Sequence, residues 1–168
     1  VRINLRERDG VFLMIEVAFY HLTRRSLEQV LPVLLERCVA RGWQAAVQAA
    51  SAKRLEQIDD RLWAYKPESF LPHGASAKDA DSQPIYLTID GDNPNGADVR
   101  FFVDGARAAP TLADPLTRPR ERAVLLFDDA ERESAREQWK ELLQSGYSLT
   151  YWQEDANGKF EKVKEQKA

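Results

Sequence analysis

The chain has 168 residues, the length of one ordinary domain and enough to bury a core without disulfide or metal staples. Hydrophobic residues make up 43% and charged residues 30%, and the net charge of −3 excludes a bulk basic field that would collect nucleic acid, though not a local basic patch. The one cysteine, Cys38, excludes an internal disulfide and a zinc cluster of paired cysteines and fits a reducing cytoplasm.

No apolar run approaches the roughly 18 residues of a spanning helix, and Val11 to Val17 is too short for the core of a signal peptide. Residues 1–13 read as an extension upstream of an expected start at Met14; the alternative is an extra edge strand, Val11 to Leu13. Ile15 to Leu22 alternates as a strand. Ser26 with Gln29 forms a capping-box start, and Leu27, Val30, Leu31, Leu34 and Cys38 follow at helical spacing up to the stop at Gly42. Pro32 inside this pattern predicts either a kink or a helix that begins near Leu31.

Trp43 to Ala49 is a weak strand, because alanine is a poor strand former. Ser51 caps a second helix carrying Leu55, Ile58 and Leu62. A small-residue loop over Gly74 to Gln83 leads to strands at Ile85 to Ile89 and Val99 to Val103, joined by the turn-rich Asp90 to Gly96. Gly105 to Arg120 holds three prolines and room for one short helix. Ala123 to Phe127 is apolar throughout, as a strand buried on both faces would be. A helix over Asp129 to Gln144 ends at Gly146, and Ser148 to Gln153 is the last firm strand. Residues 153–168 form either a charged tail or an edge hairpin turned by Asn157-Gly158. Strands alternating with helices predict a three-layer α/β/α sandwich over residues 14–152, with a mostly parallel sheet and Rossmann-like topology.

That layout invites a nucleotide, but the turns after the first two strands lack the glycines that let a backbone approach a pyrophosphate. His21 and His73 have no partner at metal-ligand spacing, and Cys38 lies on an apolar stripe. Of the adjacent acids Asp59-Asp60 and Asp128-Asp129, the second pair, which follows a buried strand at the sheet's carboxyl edge, is the best enzymatic candidate. Two-metal chemistry needs carboxylates converging on ions about 4 Å apart, and Asp129 reads more simply as a helix N-cap. We expect no catalytic residues, metal or cofactor.

Two surfaces look built for partners. The first spans Leu62 to His73, with Trp63, Tyr65 and Phe70 around two prolines, and reads either as core or as an exposed aromatic patch. The second is the helix over 129–144. Arg132, Arg136 and Lys140 repeat every four residues on one face, beside Trp139, and like charges at that spacing repel. A solvated charged face and a basic ridge for an acidic peptide are both open.

The segment Leu62-Trp63-Ala64-Tyr65-Lys66-Pro67-Glu68-Ser69-Phe70-Leu71-Pro72-His73 resembles the Leu-Trp…Pro-x-Ser-Phe-x-Pro-His signature of the chi subunit of bacterial DNA polymerase III, and the resemblance extends over about residues 14–152 in the same order. It implies a non-catalytic adaptor in the clamp-loader assembly, working in the bacterial cytoplasm. Trp63 and Phe70, with Pro67 as a less secure match, would engage the psi subunit or a helicase competing with it. Arg136 would be the central arginine for the acidic C-terminal tail of single-stranded DNA-binding protein. Arg132 and Lys140 would flank it, with Trp139 as the aromatic and Leu125 lining the apolar pocket. Rival readings are direct single-stranded DNA binding, with Trp139 as a stacking platform, and a nucleotide-binding enzyme.

Overall fold

The computed structural model describes residues 15–65, 73–74 and 80–167. The suggested edge strand Val11 to Leu13 and the residues Met14, Pro67 and Phe70 lie outside the described residues.

Eight strands form one sheet in the order β3-β4-β2-β5-β6-β1-β7-β8. They are β1 (Glu16–His21), β2 (Ala45–Gln48), β3 (His73–Gly74), β4 (Ile85–Thr88), β5 (Val99–Phe102), β6 (Arg122–Phe127), β7 (Leu149–Glu154) and β8 (Phe160–Gln166). Every pairing is parallel except the last, where β8 runs antiparallel to β7. The period of two in each strand splits the core into two layers. Helices α1 (Leu27–Ala40) and α2 (Ala52–Trp63) cover one face, burying Val30, Leu31, Leu35, Ile58 and Leu62 against Val47, Val124 and Leu126. Helices α3 (Ala109–Ala113) and α4 (Arg132–Gln144) cover the other, burying Leu112, Ala135 and Leu142 against Val17, Phe19 and Leu125. The architecture is therefore the three-layer α/β sandwich expected. Among the described residues no helix is long and apolar enough to cross a membrane.

Two local expectations are corrected and a third, the alanine-rich strand, holds with a more central place than its composition suggested. Helix α1 starts at Leu27, not near Leu31, because the Ser26 box forms: Ser26 N–H donates to Gln29 Oε1 at 2.9 Å. Pro32 sits inside the helix, and the Glu28 carbonyl that it leaves without a helical N–H accepts instead from Arg61 Nε of α2 at 3.1 Å. The cap of the fourth helix is Asp128, not Asp129. Asp128 Oδ1 accepts from Glu131 N–H and Glu131 Oε1 accepts from Asp128 N–H, opening a 3-10 turn (Asp129–Glu131) that leads into α4. The weak alanine strand is central rather than marginal, since Ala45, Ala46 and Val47 are fully buried between two layers where small side chains fit.

Arg100 on β5 is also fully buried. Its guanidinium donates to Gln48 Oε1 and to the main-chain oxygens of Asp90 and Asp92, which ties the turn-rich linker to the sheet. Burial pulls its pKa down to about 10, which leaves it charged at neutral pH.

Beyond β7 the chain turns through Asp155 to Lys159 into β8. Asp155 Oδ1 accepts the N–H groups of Asn157 and Lys159, which holds its carboxyl below the usual range, and Gly158 supplies the positive φ of 77°.

Candidate functional site

A groove of about 490 Å³ lies between α4 and the strands β1, β7 and β8. Leu149 at the start of β7 packs under α4 beside Leu142, whereas Tyr151 and Gln153 further along the strand line the groove. Phe19 of β1 and Phe127 of β6 form an apolar floor at the carboxyl ends of the strands, where open α/β sheets hold their ligands. Trp139 of α4 stands edge-on to Phe19, with ring centroids 5.1 Å apart, and its Nε1–H donates to Gln166 Oε1 of β8 at 3.2 Å. Arg132 and Arg136 rise from α4, with Lys164 and Tyr151 on the far wall.

The polar end of the groove is organised around His21. Its ring stacks on Phe127 at 4.7 Å, its Nε2 lies 2.7 Å from Asp129 Oδ1, and its Nδ1 lies 2.7 Å from the Tyr151 hydroxyl. A carboxylate only accepts, so Nε2 carries the hydrogen, and Nδ1 accepts from Tyr151 when the ring is neutral. Asp129 also accepts from Arg132 at 2.8 Å. The His21 and Arg132 hydrogen bonds hold its carboxyl below the usual range. Arg132 is thus partly neutralised. Arg136 pairs only loosely, with Glu133 at 3.1 Å, both side chains being more than 60% exposed. Such a pair is weak and leaves the guanidinium open to a better acceptor.

The residues expected from the sequence divide accordingly. Arg132, Arg136 and Trp139 meet in the groove. Lys140 is exposed on α4 but does not line it. Leu125 is buried under α4 beside Ala135 and Gln138, in a separate small cavity. Phe127, two residues on along the same face of β6, lines the groove as well as that small cavity.

At the second surface, Trp63 ends α2 with 58% of its area exposed. Its ring lies 4.3 Å from that of His73, which is buried beneath it with Nε2 3.0 Å from Asp59 Oδ1. Tyr65 instead packs against the core, and its hydroxyl donates to Glu36 Oε1 of α1. Of the three rings in the sequence motif, one is therefore presented to solvent and one is core.

The enzymatic candidates do not assemble. Among the described residues no cluster of His, Cys, Asp and Glu could hold a metal. Burial pushes the Cys38 thiol up to about 11, so it behaves as a small hydrophobe. The turn after β1, where a nucleotide phosphate would sit in a fold of this type, is filled by the protein's own acid. The Glu154 carboxylate accepts the N–H groups of Thr23, Arg24 and Arg25 and the Nε–H of Arg25.

Compared with known proteins, the sequence pattern of the DNA polymerase III chi subunit (HolC) matches residues 14–150. The chain belongs to the chi subunit family. Two curated relatives agree. One is a probable DNA polymerase III subunit chi of Rickettsia prowazekii, 26% identical over 62% of this chain and 64% of that protein. The other is the DNA polymerase III subunit chi of Pseudomonas aeruginosa, 26% identical over 72% of this chain and 82% of that one. The match thus spans just under two thirds of the Rickettsia relative's length. The C-terminal domain of the DEAD-box protein Dbp5 superposes with a TM-score of 0.48 at 12% identity, covering 83% of this chain and 91% of that one, too loose a likeness to carry function.

In this chi-family chain the matched region ends within β7, so Tyr151, Gln153 and Lys164 of the groove lie past it. Sequence reasoning missed them, together with Phe19, His21 and Phe127. The signal for the floor was present: Phe19 and His21 alternate on β1, and Phe127 continues the face of Leu125. Nothing in the strand pattern showed where the covering helix would stop.

Proposed function

We propose that this chain is a non-catalytic accessory subunit of the DNA polymerase III clamp-loader complex, joining the psi subunit to the acidic C-terminal tail of single-stranded DNA-binding protein during replication. The observation that carries the reading is the groove itself: an exposed, weakly paired guanidinium at Arg136 beside an apolar floor of Phe19, Phe127 and Trp139. A tail with acids, a terminal hydrophobic side chain and a free carboxylate is complementary to that pairing. Arginine holds a carboxylate through two parallel hydrogen bonds, and the aromatic floor takes the side chain. Arg132 adds to the positive rim. Lys140 stands on the same helix outside the groove, where its charge steers an acidic ligand rather than contacting it.

The exposed Trp63 ring is the anchor proposed for psi, or for a helicase that competes with it, with Phe70 and Pro67 the further residues that the family resemblance assigns to that contact. Two patches on one rigid scaffold give a tether, and tethering lets modest affinities suffice. A soluble cytoplasmic setting fits this role and the single thiol.

The test is titration of an acidic peptide with aspartates ahead of a C-terminal Pro-Phe. Binding should weaken as salt rises, fall at least tenfold in Arg136→Ala, and fall when the terminal carboxylate is amidated. Unchanged affinity in both cases would refute the site. Equal or tighter binding of a bare oligonucleotide would favour direct DNA binding by the Trp139 face.

A further inference from the structure

Resting on the reading of the groove as an acidic-peptide site, we propose that strand β8 is its second recognition wall and that Lys164 holds an acidic side chain of the bound peptide, opposite the carboxylate held by Arg136.

Register is what places Lys164. Leu149 pairs with Gln166, Thr150 with Glu165 and Tyr151 with Lys164, but Trp152 pairs with Lys162. Val163 is therefore an extra residue, a bulge opposite the Tyr151–Trp152 step. In an unbroken strand residues 160, 162, 164 and 166 would share one face. The bulge separates them. Phe160 packs on Tyr20 with the α1–α2 layer, ring centroids 4.6 Å apart, while Lys164 and Gln166 turn to the α4 side. Without the extra residue, seating Phe160 would send Lys164 away from the groove.

On the α4 side, both residues meet Trp139. Gln166 accepts its indole N–H, and the Lys164 ammonium stands 5.5 Å from its ring centroid. An exposed cation over an aromatic face is held only weakly and keeps its N–H groups for a ligand. Lys162, by contrast, lies on the opposite face and pairs with Glu165 at 3.1 Å. The groove thus carries cations on two facing walls, Arg132 and Arg136 from α4 and Lys164 from β8, with the aromatic floor between them. One carboxylate occupies one wall. A ligand that satisfies both brings at least two anionic groups on either side of an apolar side chain, which is the chemistry of an acidic tail with a free terminus.

The experiment is titration of the full chain and of Lys164→Gln, Lys162→Gln and Arg136→Ala with the acidic Pro-Phe peptide, and with the same peptide carrying asparagine for aspartate. Lys164→Gln should bind the acidic peptide about three- to tenfold more weakly and the asparagine peptide as the parent chain does. Lys162→Gln, an equal charge change two residues away on the other face, should bind as the parent. If Lys164→Gln binds the acidic peptide as the parent does, or if Lys162→Gln weakens it equally, the second wall is overturned. Loss of binding in Arg136→Ala alongside an unaffected Lys164→Gln removes only this inference. No binding by the parent chain removes the peptide reading and this inference together.

Discussion

The Glu154 carboxylate, fully enclosed, receives Arg25 Nε at 2.7 Å and shares the three amides of the turn after β1. Glu154 ends β7 and Arg25 precedes α1, so this contact ties the sheet's carboxyl edge to the start of the first helix. Burial opposes ionisation here, but the Arg25 hydrogen bond and the backbone amides outweigh it and hold the carboxyl below its ordinary range. A depressed carboxyl stabilises the fold at pH values above its unfolded pKa of about 4.3, and the stabilisation is lost as pH falls through the lower folded value. Glu154→Gln keeps the shape but loses the charge, and should destabilise by about 2 kcal/mol at neutral pH. Denaturant melts from pH 7 to pH 3 should show the gap between parent and variant closing on the acid side. A gap that does not shrink with acid would show that the charge contributes nothing.

Arg61 and Pro32 make a second coupled pair. Arg61 donates to the Glu28 carbonyl, to which Pro32 has no N–H to offer. Arg61→Ala should destabilise by about 0.5–1 kcal/mol, the size of an exposed hydrogen bond. In a Pro32→Ala background, where the helix supplies its own donor, that loss should shrink. A double-mutant cycle on urea midpoints measures the difference, and strict additivity would contradict the substitution of one donor for the other.

How much of this was legible in the sequence depends on the range of the interaction. Helix α2 and strand β6 followed from periodicity, because Leu55, Ile58 and Leu62 repeat with the helix and Ala123 to Phe127 is apolar on both faces. The Asp128–Glu131 box was also there to be read, but two adjacent aspartates left the cap ambiguous by one residue. The groove was half legible. Arg132, Arg136 and Trp139 share a helical face that spacing alone defines, whereas its floor depends on where α4 stops covering the sheet and its far wall on a bulge at Val163. Both are set by contacts between residues far apart in the chain, and no local pattern encodes them.

Trp63 gives a prediction about partners rather than stability. Because the ring is mostly exposed, Trp63→Ala should leave circular dichroism native and the melting temperature little changed. Truncating an interface tryptophan typically removes about 2 kcal/mol or more, roughly thirtyfold in affinity. Co-purification with psi should therefore fail for Trp63→Ala while peptide binding at the groove persists. A variant that unfolds would return the ring to a structural role, and one that still captures psi would move that interface elsewhere.

Asp129 sits on the cationic rim and works against an acidic ligand. It is 71% exposed and accepts from both His21 and Arg132. Since those hydrogen bonds hold its carboxyl below the ordinary range, it stays charged at neutral pH and continues to offset Arg132. Asp129→Asn removes one negative charge and frees the Arg132 guanidinium, while Tyr151 still holds the other ring nitrogen of His21. The acidic peptide should then bind about two- to fivefold tighter at low salt, with the gain fading as salt rises. The cap at Asp128 is untouched, but the variant gives up a charge that the first turn and these hydrogen bonds favour, so the tighter binding should come with a slightly lower melting temperature. Weaker binding would mean that Asp129 orders His21 and Arg132 for the ligand, making it part of the recognition site rather than a counterweight to it.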